Sequence, residues 1–128
     1  MARRPEARLQ DKIVTFLEDR GWLVETTHGN AFQKGIPDLF CWHQQLGIVR
    51  WIDVKRRERH EYTPHQCRTW TRWEAHGLGV WIMMEPTDDE YAKLFDPPNF
   101  RDHWKPRYNK YLRTPVEVLE EEFPECKT

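Results

Sequence analysis

The sequence predicts an α/β domain: a mixed β-sheet flanked by helices, in the order helix, strand, strand, strand, helix, strand, with a C-terminal extension from about residue 85 to residue 128. Three observations predict it. Two stretches carry a proline suited to a first helical turn, apolar residues at helical spacing, and a glycine at the stop: Pro5 to Gly21 and Pro64 to Gly77. Between them, Leu39 to Trp42 and Ile48 to Val54 are short runs apolar on both faces, as expected of strands covered by helices on both sides. The second helix also separates Ile48–Val54 from a last apolar run, Gly79 to Met84, and so permits a parallel crossover pair.

The first helix should run from about Pro5 to Arg20, with Leu9, Ile13, Phe16 and Leu17 as its apolar stripe. Glu6 lies on the side of that stripe, one turn before it. By position alone it is a solvated glutamate favoured by the positive end of the helix. A strand from Trp22 to Thr26 follows, then a polar loop from His28 to Pro37. Its His28, Asn30, Gln33 and Lys34 read singly as solvated loop residues, with Lys34 the best suited to a phosphate contact.

If the next two runs form an antiparallel hairpin, a turn centred on Gln45 and Leu46 sets Asp38 opposite Asp53. Opposed residues on one face have Cβ atoms roughly 4.5–5.5 Å apart, within reach of one ion. Alternation puts Lys55 on the face of Asp53, with Phe40, Trp42, Val49 and Trp51; Leu39, Cys41, Ile52 and Val54 point the other way. In the second helix, Thr63 at the cap, Pro64 at N1 and Gln66 at N3 form a capping box. Trp70 and Trp73 lie on the Gln66 side and read as core rather than as a stacking platform.

The C-terminal extension is less legible. Thr87 caps a short helix. From Pro97 to Arg113, Phe100, Trp104, Tyr108 and Tyr111 interleave with Arg101, Lys105, Arg107, Lys110 and Arg113. Such a stretch suits single-strand binding, a dimer contact or packing over the core, and packing is favoured. Thr114 to Glu117 repeats the capping-box pattern before an acidic segment with Val116, Leu119 and Phe123 on one side.

Two acids and a lysine converging on one spot have a chemical logic. Mg²⁺ is usually held by one or two carboxylates plus waters and substrate phosphate oxygens. A bound ion lowers the pKa of a water and neutralises charge on a phosphate under attack, and a neighbouring lysine can hold that water or offset that charge. The constellation reads as phosphodiester hydrolysis. Arg56, Arg57 and Arg59 leave the Asp53 strand where a phosphate backbone would pass, and Arg68 and Arg72 on the second helix extend the patch. Without that context, the charge run Lys55 to His60 would be a solvated loop.

These residues resemble the PD-(D/E)xK nuclease superfamily and, within it, the small VRR-NUC domains of the phage or bacterial stand-alone type. The resemblance runs from Glu6 to about Met84 through G-W-L-V, H-G-N-A-F-Q-K-G-I-P-D, W-I-D-V-K and T-P-H-Q. Asp53 stands where many members carry glutamate, one methylene longer. The resemblance implies a restriction-endonuclease-like fold and a Mg²⁺- or Mn²⁺-dependent DNA endonuclease. Its substrates would be branched, Holliday-junction-like intermediates. It implies Asp38, Asp53 and Lys55 as the catalytic set, with the Val54 carbonyl as a backbone ligand and Glu6 supporting the metal directly or through water. It also brings Gln66 into the site, a role compatible with capping.

Composition is compatible with that reading. A chain of 128 residues with 20 Lys and Arg against 21 Asp and Glu has the length of one domain and no overall basic coat. The three cysteines, Cys41, Cys67 and Cys126, show no C-x-x-C spacing and read as reduced thiols. With no apolar stretch suited to a membrane span or signal peptide, the expected place is the cytoplasm of a bacterial cell or phage-infected host. DNA is the expected partner, with no membrane and no small-molecule cofactor. A homodimer is expected because one site cuts one strand, with Phe100 to Tyr111 as a contact surface. The competing class is a catalytically silent nucleic-acid-binding or partner-docking module of the same fold, which would not need Asp38, Asp53 and Lys55 together. A base-specific restriction enzyme fits less well, because so little chain is left for a recognition unit.

Overall fold

The computed structural model describes residues 5–27, 35–58 and 62–103. Helix α1 (Pro5–Glu18) leads into β1 (Trp22–Thr26), β2 (Leu39–His43) and β3 (Ile48–Val54). Helix α2 (Pro64–Ala75), β4 (Val80–Met83), the short α3 (Asp88–Ala92) and a 3₁₀ turn (Lys93–Phe95) complete the described elements. The expected order of helices and strands is the observed one.

The strands lie in the order β1-β2-β3-β4. β1 pairs antiparallel with β2 and β2 with β3, whereas β3 and β4 are parallel, as the crossover through α2 requires. Leu39 faces Ile52 and Phe40 faces Trp51, so the ladder continued by one residue puts Asp38 opposite Asp53, the register that a turn at Gln45 and Leu46 predicts. Alternation then sorts the side chains. Ile13 and Leu17 of α1 join Leu39, Cys41, Ile52, Val54 and Met83 in one core. Cys67 and Trp70 of α2 join Val80, Ile82 and Met84 in the other, with Trp51 and Trp73 packed against it.

One expectation needs correction. The hairpin is not covered by helices along its whole length: Trp42, opposite Leu23 on one side and Val49 on the other, is 36 % exposed, and Leu23 and Val49 are exposed beside it. The cause is the placement of α2. Its 12 residues span about 18 Å, and its buried residues engage β3 and β4, which leaves the turn end of this face open.

The chain after β4 does more than extend the domain. β4 is an edge strand, and Ile82 turns its N–H and C=O away from β3. The Asn99 side chain meets both: Ile82 N donates to Asn99 Oδ1 at 2.6 Å, and Asn99 Nδ2 donates to Ile82 O at 3.2 Å. Met84 N likewise donates to the buried carboxylate of Glu90, at 2.7 Å. Leu94 and Phe100 are fully buried, so the core does not end near Met84, and Phe100 cannot belong to an intermolecular contact surface. The rest of that surface, Trp104 to Tyr111, lies outside the described residues, as do Lys34, Arg59 and the other polar residues of the 28–34 loop. Cys41 and Cys67 are both buried, and burial pushes Cys41 up to about 12. Cys126 is not among the described residues. No helix among the described residues is long and apolar enough to cross a membrane.

Asn99→Ala should strand both edge groups of Ile82 in the core and lower stability by about 1–3 kcal/mol. Urea denaturation measures this; a midpoint within error of the wild type would show that Asn99 does not hold the edge.

Candidate active site

Where β2 begins and β3 ends, each strand's aspartate bonds the other strand's backbone. Val54 N donates to Asp38 Oδ2 at 2.9 Å, and Asp38 N donates to Asp53 Oδ1 at 3.2 Å. The two carboxylates close the ladder and are thereby held side by side. Asp53 is 1 % exposed and Asp38 is partly exposed, so the pair is a buried charge with one accessible member.

Lys55 stands on the same face, 7 % exposed, with Nζ 3.1 Å from Asp53 Oδ2. That oxygen receives no aligned hydrogen bond, and the ammonium approaches it off-axis. Lys55 Nζ donates instead to Gln66 Oε1 at 2.9 Å. The same Gln66 oxygen accepts from Thr63 N at 3.1 Å, while Gln66 N donates to Thr63 Oγ1 at 3.1 Å. The capping box and the site are therefore one structure. The helix start that satisfies its own orphan N–H groups also aims the glutamine carbonyl at the lysine.

α2 is held against the Asp38 loop by Gly35. A Cβ there would lie 2.7 Å from His65 O and from Thr69 Oγ1, and the residue has φ of +88°, so only glycine allows this approach. Trp70 Nε1 donates to Gly35 O at 2.6 Å and ties the helix to the loop three residues before Asp38.

Asp53 carries the electrostatic load. Burial, then the neighbouring charge of Asp38, pushes its carboxyl up to about 8 against the opposing pull of Lys55. Once Asp53 is ionised, two carboxylates face one ammonium, and a cation would relieve that excess negative charge. Among the described residues no cluster of three or more His, Cys, Asp or Glu side chains has metal-holding geometry. Glu6 is accordingly not drawn up beside the aspartates. It is exposed on the first turn of α1, whose Pro5 and Leu9 line a cleft of about 230 Å³ with Arg56, Arg57 and Glu85, at the end of the sheet where Asp53 and Lys55 lie.

The arginines are already engaged to differing degrees. Arg56 pairs with Glu58 at 2.8 Å, and Arg57 with Glu85 at 2.9 Å. Arg68 lies 2.7 Å from His65 Nδ1, and Arg72 is exposed. Sequence reasoning passed over Tyr62, whose ring centroid is 5.0 Å from Lys55 Nζ. A signal was present: Tyr62 immediately precedes the Thr63 cap, a position where apolar residues commonly pack.

The backbone is similar to that of a solved structure described as "VRR_NUC domain", with a TM-score of 0.58 and 24 % sequence identity over 71 % of this chain and 95 % of that one. No protein-family model and no curated protein matches the sequence. The fold is therefore the restriction-endonuclease-like α/β fold of VRR_NUC domains, a mixed four-stranded sheet between helices.

Because the folded state holds the Asp53 proton that the unfolded chain releases near its ordinary value, this group's stabilisation is lost as pH rises from about 4 towards about 8. In chelator, the melting temperature should fall between pH 6 and pH 8. Asp53→Asn should flatten that slope and melt above the wild type at pH 8. An unchanged slope in the variant would show that Asp53 titrates normally.

Proposed function

We propose that this chain is a DNA endonuclease dependent on Mg²⁺ or Mn²⁺. The observation that carries the proposal is the convergence of Asp38, Asp53, Lys55 and Gln66 through contacts of 2.9–3.2 Å on one sheet face. The fold shared with a VRR_NUC domain supports it. The donor set suits such an ion. The buried Asp53 Oδ2 receives no aligned hydrogen bond, and Mg²⁺ asks for only one or two carboxylates. Asp38 and Asp53 would hold the ion, with the Val54 carbonyl beside them and Glu6 reaching it through water. When bound, the cation supplies an acidified water and neutralises charge on the scissile phosphate.

The protein's own groups do the rest. Lys55 has three N–H donors; Asp53 and Gln66 occupy two sides, and the remaining donor serves a phosphate oxygen or the attacking water. Gln66 spends its carbonyl on Lys55 and Thr63, which leaves its NH₂ to orient substrate oxygen. Arg56, Arg57, Arg68 and Arg72, with Lys34 and Arg59, supply contacts to the DNA backbone. Arg56 and Arg57 must exchange their glutamate partners for phosphates, so binding should weaken with salt. Branched, Holliday-junction-like DNA is the proposed substrate, cut by a homodimer because each copy presents one site.

Asp38→Asn or Asp53→Asn should lower the cleavage rate by at least roughly a thousandfold while leaving DNA affinity nearly intact. Lys55→Ala should remove most of the rate with little loss of metal affinity. Gln66→Ala should slow cleavage less, and should cost about 1 kcal/mol of stability through the lost cap. Full Mg²⁺-dependent activity in Asp53→Asn would refute the assignment. Mixing wild type with Asp53→Asn should give hybrids that nick one strand of a four-way junction without the paired cut. Paired cutting by a protein that sediments as a monomer, free and on DNA, would rule out the dimer.

A further inference from the structure

The apolar side of Lys55 is built as deliberately as its polar side. Its ammonium lies 5.0 Å from the Tyr62 ring centroid and 5.8 Å from that of Trp70, both within the range in which a ring face attracts a cation. Tyr62 and Trp70 stand edge-to-face, with centroids 6.2 Å apart and planes at 83°. They form a corner rather than a stack. Asp53 and Gln66 approach the ammonium as polar partners. A flexible four-carbon side chain is thus reduced to one position by two polar contacts and two ring faces.

The corner has its own support, and that support comes from far along the chain. Phe100, fully buried, packs edge-on against Tyr62 at 5.7 Å and against Trp70 at 5.0 Å, perpendicular to the latter. Asn99, the residue before it, is fixed to β4 by the paired hydrogen bonds to Ile82. Capping the sheet edge therefore fixes the ring that braces both faces of the corner. Trp70 has a second hold through Gly35, whereas Tyr62 is followed directly by the Thr63 cap.

We propose that Tyr62 is a positioning residue for Lys55, and that Phe100 of the C-terminal extension acts through it: the aromatic corner holds the lysine ammonium at the point where it meets Asp53, Gln66 and the substrate phosphate. The inference rests on the nuclease reading above for its catalytic consequence, but the corner itself is read without substrate. A core tyrosine with no positioning role would affect stability alone. A positioning tyrosine affects the rate at saturating DNA and leaves DNA affinity unchanged, because it moves a group used in the reaction rather than in docking.

The test combines a spectrum with kinetics on the full chain. In metal-free, DNA-free wild-type protein, ring currents should move the Lys55 ε-methylene protons upfield of free lysine, with the signal assigned by its loss in Lys55→Arg. Tyr62→Phe, which keeps the ring, should keep that shift and most of the single-turnover rate. Tyr62→Leu should lose much of the shift and cleave roughly tenfold more slowly at saturating DNA, with the DNA dissociation constant unchanged. Phe100→Leu should fall between them. An ordinary lysine shift in the wild type overturns the proposal, and so does a folded Tyr62→Leu that cleaves at the wild-type rate. If Tyr62→Leu does not fold, the wild-type shift and the Phe100→Leu rate decide. Wild-type protein that shows the shift but cuts no DNA in Mg²⁺ or Mn²⁺ overturns the nuclease reading alone.

Discussion

A slip of one residue in the pairing of β2 with β3 would turn Asp53 and Lys55 into the α1 core and bring Ile52 and Val54 out to the α2 face. The register is held at both ends of the hairpin. At the turn, Leu46 N donates to His43 Nδ1 at 3.2 Å, and His43 Nε2 meets Arg20 O at 3.0 Å. At the open end, the two aspartates take each other's strand N–H groups, which replaces the ladder bonds that would otherwise stop at Leu39. The groups proposed to do chemistry are therefore also the groups that finish the sheet. Local geometry alone does not give a useful lysine; that depends on α2 arriving in one orientation, and the Gly35 contact and the Thr63–Gln66 box fix it.

This arrangement costs stability. Burying Asp53 beside Asp38 forces the carboxyl to hold a proton far above its ordinary range, so the metal-free fold carries strain that eases only at low pH or when a cation arrives. The same feature would couple cation binding to proton release. An amide at position 53 would remove this cost, so the acid fits the proposed cation-binding role better than a purely structural one.

Much of this was legible in the sequence, because the signals were local. Period-2 alternation around Asp53 and Lys55 put them on one face, the Gln45–Leu46 turn set the partner as Asp38, and T-P-H-Q announced both the cap and the helix start. What escaped was what only tertiary packing decides. No local pattern marks Asn99 as the partner of Ile82, or Glu90 as the partner of Met84, since one bond reaches the sheet edge from a polar loop and the other from the short helix α3, both outside the strands they complete. Phe100 sat in a stretch for which packing over the core was the favoured role, but nothing local named its partners, Tyr62 and Trp70. The pairing of Arg57 with Glu85 was hidden for the same reason: the two lie on different strand ends. The open row Leu23, Trp42 and Val49 could not be foreseen either, because the length of a helix does not say which half of a sheet it covers.

If Asp38 and the buried Asp53 together take a divalent cation as proposed, the ion must displace the proton that Asp53 holds. Calorimetric titration of the protein with Mn²⁺ near pH 7, repeated in buffers of different ionisation enthalpy, counts the protons released per ion bound. Mn²⁺ should bind with proton release that fades as pH is raised past about 8, and Asp53→Asn should lose both the release and most of the affinity. Binding with no proton release at pH 7, or equal affinity in Asp53→Asn, would contradict that assignment.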